Sequence, residues 1–83
     1  MKAYVIVAEH PTVPGTAIRV CLSQETANTV AAEAVNSILK DCDASEKPDS
    51  ATADSWEDAV EFLENYYGAC NCTVYIQHTD VTP

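Results

Sequence analysis

Apolar and polar positions divide the chain into five periodic segments separated by breaks. Residues 2–8, KAYVIVA, form an unbroken β-branched and aromatic run, which predicts a strand buried on both faces and hence a central one. HPTVPGT, residues 10–16, carries two prolines and a glycine and predicts a connecting loop. In residues 17–22, Ile18, Val20 and Leu22 alternate with Arg19 and Cys21, the period of a second strand.

Ser23 fits the N-cap of a helix over residues 24–40, where Ala27, Val30, Ala31, Ala34, Val35, Ile38 and Leu39 recur at helical spacing. Residues 41–54, DCDASEKPDSATAD, read as a linker. Ser55 followed by Asp58 resembles a capping box, and Trp56, Ala59, Val60, Leu63 and Tyr67 predict a second helix over 56–67, closed by Gly68. Cys70, Cys72, Val74 and Ile76 alternate with Asn71, Thr73, Tyr75 and Gln77, which predicts a last strand over 71–78.

The order is therefore ββααβ, an α+β fold in a single domain spanning residues 1–83. Helices that run up and then down bring the third strand parallel to the first. The expectation is a three-stranded mixed sheet, order 2-1-3 favoured over 1-2-3, with both helices on one face. A chain of 83 residues buries only roughly 60 to 65% of its unfolded surface, too little for two cores. Its 47% apolar content excludes disorder by composition.

Charge changes the picture most. The net charge is −9, which makes nucleic acid and anionic membrane poor partners. Residues 41–64 hold nine acids, Asp41, Asp43, Glu46, Asp49, Asp54, Glu57, Asp58, Glu61 and Glu64, against one cation, Lys47. The dipole of the second helix explains Glu57 and Asp58 in its first turn but not Glu61 and Glu64 further along. Like charges at these spacings cost about 0.2 to 0.5 kcal/mol per pair. Two readings follow: a solvated face that keeps the protein soluble, or a surface made of Glu46, Asp49, Asp54, Glu57, Asp58, Glu61 and Glu64 that meets a basic partner.

Other chemistry is thin. Residues 41–52 place carboxylates like a calcium loop but lack its central glycine and closing glutamate. Cys70 and Cys72 share a strand face and read as core thiols, while His78 lies too far along the strand to share an ion with Cys72. His10 and His78, at the ends of strands taken as parallel, are expected at one sheet edge with no nucleophile beside them. No cofactor, metal or catalytic residue is expected. The apolar run at the start is too short for a signal core or a membrane span, so a cytoplasmic location with reduced cysteines is expected.

Strand alternation allows Val5, Val7, Ile18, Val20, Val74 and Ile76 to point at the helices. Tyr4, Ile6, Arg19, Cys21, Thr73 and Tyr75 then face outward, and Tyr4, Ile6 and Tyr75 are a candidate interface on the open sheet face.

The leading MKAYVIV strand, the second strand, the alanine-rich ETANTVAAEAVNSIL helix and the strongly acidic remainder resemble small phage and mobile-element proteins that block bacterial defence, anti-CRISPR proteins among them. The resemblance is one of size, layout and charge, and spans most of the chain. It implies a non-enzymatic inhibitor in the host cytoplasm that docks on a basic nucleic-acid-binding groove of a defence complex. Two alternatives stand beside it: a homodimeric interaction module whose acids serve solubility, and a thiol or zinc protein using Cys21, Cys42, Cys70 and Cys72.

Overall fold

In the computed structural model, which describes residues 1–81, the chain forms β1 (Lys2–His10), β2 (Val13–Cys21), α1 (Gln24–Asp41), α2 (Trp56–Tyr67) and β3 (Thr73–Asp80). The sheet order is β2-β1-β3, with the apolar β1 in the middle, and the class is α+β. No helix among the described residues is long and apolar enough to cross a membrane.

Local chemistry accounts for most element ends. The Ser23 hydroxyl accepts from the Thr26 backbone N–H at 3.1 Å and caps α1. Gly68, at φ 93°, ends α2 and donates to the Glu64 carbonyl at 2.8 Å. Ser55 is the N-cap of α2 without capping it through its side chain: its hydroxyl is taken by the Thr52 N–H at 2.9 Å, so the expected capping box does not form. The loop expected over 10–16 shrinks to Pro11 and Thr12, with a register shift at Glu9/His10. Pro14 and Gly15 fall inside β2, which tolerates a missing N–H because it is an edge strand. At the other end of the chain, a turn over residues 69–71 delays β3 to Thr73 and leaves Cys70 exposed, not in the core as expected.

Residues 42–55 correct the topology. They do not turn the chain over but run back along α1. The Asn36 side chain holds both backbone groups of Ala51: Nδ2 donates to the Ala51 carbonyl at 2.9 Å, and the Ala51 N–H donates to Oδ1 at 2.6 Å. Cys42, Ala44 and Ala51 are buried, and the Trp56 indole N–H donates to Asn28 Oδ1 at 3.3 Å. From Asn28 to Cys42 the helix climbs about 21 Å, a distance that an extended segment of this length spans easily.

The second helix thus starts beside the first third of α1 and ends with Tyr67 next to Cys42. The two helices run parallel, not up and down. In consequence β3 begins where β1 finishes, Glu9 opposite Thr73 and Lys2 opposite Asp80, and pairs antiparallel with it. The sheet is fully antiparallel, and the mixed sheet expected from sequence is corrected.

Register also decides the faces. Cross-strand partners share a side, and the rows Cys21–Tyr4–His78, Arg19–Ile6–Ile76 and Ala17–Ala8–Val74 form one of them. This is the helix side: Ile6 is 2% exposed and packs with Val35, Ile38, Leu63 and Val74, while Tyr4, Ala8 and Ile76 pack against that cluster. The expected inward placement of Val5, Val7, Ile18 and Val20 is therefore inverted, whereas that of Val74 and Ile76 holds. Ile18 and Val20 are 62% and 63% exposed.

Candidate functional site

Helical periodicity sorts the side chains of α2. Trp56, Ala59, Val60 and Leu63 are buried, and at 100° per residue Glu57, Glu61 and Glu64 share one flank of that stripe. This flank faces β3. Between the two elements lies an open groove of about 480 Å³, with the three glutamates along one wall and Trp56, Val60, Val74 and Ile76 among its apolar lining. Gln24, Asn28, Asn65, Tyr75 and His78 complete it. On the opposite flank Phe62 and Tyr66 stack with ring centroids 6.2 Å apart.

Among the described residues no cation pairs with the carboxylates of the groove. His10 Nε2 and Asp41 Oδ2 lie 3.2 Å apart, a contact that fastens the hairpin tip to the end of α1, and among the described residues no lysine or arginine lies within ion-pair distance of a carboxylate. Lys47, the one cation of the acidic segment, is committed elsewhere: its ammonium donates to the Leu39 and Cys42 carbonyls at 2.6 and 2.8 Å. There it satisfies the carbonyl end of α1 and opposes the helix dipole. Glu57 and Glu61 are exposed, and Glu64 is half-buried.

The remaining predicted acids lie elsewhere. Asp54 and Asp58 are exposed at the start of α2 and do not line the groove, and Glu46 and Asp49 are exposed on the returning segment. Of the seven acids read as a partner surface, the groove unites three.

The open-face candidates divide as well. Tyr75 is outward and 42% exposed, but Ile6 is in the core and Tyr4 packs beneath the helices, so these two are not part of an outer surface. The reason is the antiparallel register, which ties Ile6 to Ile76. Sequence reasoning missed Val5, Val7, Ile18 and Val20 on that face. The outer parity of β3, with Thr73, Tyr75 and Gln77 outward, carries over to β1 only through the register that pairs Ile6 with Ile76, which the sequence does not state.

The histidines also separate. His78 pairs with Tyr4 and His10 lies at the far end of β1, about 20 Å away along the strand, so the common edge expected for them does not exist. Two cysteines sit inside. Cys72 is fully buried, and burial first, then the neighbouring Glu64 carboxylate, pushes its thiol up to about 11. Burial and the adjacent Cys42 push the Tyr67 hydroxyl up to about 12. All four cysteines are free thiols. Among the described residues no three His, Cys, Asp or Glu side chains converge as a metal site, and no charged side chain is buried.

Chemically, the groove offers carboxylate hydrogen-bond acceptors above an apolar floor. Such a surface suits lysine ammonium and arginine guanidinium groups, whose aliphatic stems bury against apolar side chains while the heads meet carboxylates. No protein-family model, curated protein or solved structure matches the chain.

Proposed function

We propose that this chain is a non-enzymatic interaction protein that occupies a basic, nucleic-acid-binding surface of another protein, in the manner of an anti-CRISPR inhibitor of a bacterial defence complex. One observation carries the reading: Glu57, Glu61 and Glu64 stand on one wall of one groove, and among the described residues no cation is paired to them. Self-repulsion within α2 destabilises the fold slightly, and a partner rich in lysine and arginine relieves it on binding. The fixed carboxylates then stand where phosphates would, and steer association in a salt-dependent way. The resemblance in size, layout and charge to anti-defence proteins names the class of partner.

The test is expression in bacterial hosts that carry active CRISPR systems of different types, followed by phage plaquing. The wild-type chain should restore plaques in at least one host, and the Glu57→Lys, Glu61→Lys, Glu64→Lys triple variant should not, while keeping a wild-type circular dichroism spectrum. Equal activity of the triple variant, or no restoration in any host, rejects the reading.

A further inference from the structure

We infer that the open face of the sheet is a self-association surface, on which a second copy of this chain packs face to face to form a two-fold dimer. This goes beyond the proposed function and does not depend on it.

An antiparallel sheet with one face in water normally carries polar side chains there. Here the two central rows of that face read Gln77–Val5–Val20 and Tyr75–Val7–Ile18, and Val20, Ile18 and Tyr75 are 63%, 62% and 42% exposed. Five of the six positions are apolar or aromatic and none is charged. The Cα trace is only 16 Å across its thinnest dimension, so a single layer of helices backs the sheet.

Charge selects the occupant. With a net charge of −9, two copies repel each other over most approaches. The central rows of this face are the exception, since the acids of α2 lie on the helix layer behind the sheet. Face-to-face packing puts the two helix layers outermost, at least about 20 Å apart and beyond the Debye length of about 8 Å. Glu9, at one end of the face, stays clear of its twin when the two-fold axis runs across the strands, because the two copies of β1 are then antiparallel. A basic partner gains nothing from an uncharged face.

Area agrees with this occupant. Three strands about 4.8 Å apart and eight residues long at about 3.3 Å per residue give a face of roughly 14 by 26 Å. Two such faces with their side chains remove on the order of 1,000 Å² from water, the lower bound for a specific interface. The dimer is therefore reversible on dilution.

Sedimentation equilibrium from about 5 to 500 µM tests the inference. Wild type should approach twice the chain mass of 9.0 kDa at the upper end and dissociate on dilution. Val20→Glu and Tyr75→Glu, at exposed positions on the two edge strands, should each weaken dimerisation at least tenfold with an unchanged circular dichroism spectrum, and Glu61→Lys should not. A wild type that remains monomeric throughout overturns the inference, as does a dimer that survives both face substitutions. Loss with Val20→Glu but not with Tyr75→Glu also overturns it, since that pattern marks pairing through the β2 edge.

Discussion

Asn36→Ala is the sharpest test of the returning segment. Asn36 makes a backbone-like pair with Ala51 in a partly buried site, one bond of 2.6 Å and one of 2.9 Å. Each such bond contributes about 0.5 to 1.5 kcal/mol net, and an unsatisfied buried partner costs about 1 to 3 kcal/mol. Ala51 is 6% exposed, so water reaches its freed N–H and C=O only if the segment moves. The expected loss is about 2 to 3 kcal/mol, out of a total of about 4 to 12 kcal/mol for a chain of this length. Tm should fall by about 10 to 20 °C. Urea unfolding followed at 222 nm should show a lower midpoint with the slope unchanged, because the same surface is exposed on unfolding. Asn36→Asp keeps an acceptor for the Ala51 N–H but turns its second oxygen toward the Ala51 carbonyl where Nδ2 donated, so it should not recover wild-type stability. A loss under about 0.5 kcal/mol for Asn36→Ala would mean that residues 42–55 are not anchored through this pair, and the parallel arrangement of the helices would lose its main support.

Two further outcomes follow from the same geometry. Ile6→Ala should cost about 2 to 5 kcal/mol in urea unfolding, whereas Val20→Ala should stay within about 0.5 kcal/mol at concentrations where the chain is monomeric; the reverse ranking would restore the face assignment read from sequence. With its thiol raised to about 11 by burial, Cys72 keeps its proton in the folded state while the unfolded thiol, near 9, loses it. The folded state binds more protons between those values, so this contribution to stability is complete below about pH 9 and is lost as pH rises toward 11. Tyr67, raised from 10.0 to about 12, adds a loss of the same sign at the upper end. Cys72→Ala should flatten the decline between pH 9 and 11, and a decline of unchanged slope would place its cause elsewhere.

Much of the fold was legible in the residues. The apolar run of β1 marked the central strand, Ser23 marked the start of α1 and Gly68 the end of α2, and together they give the element order and the order 2-1-3. What was not legible has identifiable causes. Residues 41–54 look like a turn because their acids, serines and proline are loop residues, and only tertiary partners, Asn36 for Ala51 and Asn28 for Trp56, reveal that the segment returns along α1. That one fact reverses α2 and then β3; the faces of β1 and β2 follow separately, from the register that pairs Ile6 with Ile76 and with Arg19. The parity error for Ile6 was open because β1 is apolar at every position from Ala3 to Ala8, so alternation carries no information there. The acidic flank of α2 was readable from helical spacing alone, but the separation of Glu46, Asp49, Asp54 and Asp58 from the groove depends on where the elements sit. That Lys47 is held by two carbonyls, leaving the groove glutamates without a paired cation among the described residues, is likewise a property of the fold.

The claim that matters most is that Glu57, Glu61 and Glu64 take the place of phosphates in a basic groove. A competition titration against the CRISPR complex of a host in which the chain restores plaques tests it most directly. The wild-type chain should raise the apparent Kd of the complex for its nucleic acid in proportion to chain concentration, without lowering the saturating signal, and the triple lysine variant should leave that Kd unchanged. A nucleic-acid affinity that stays constant while the chain is bound would contradict the account.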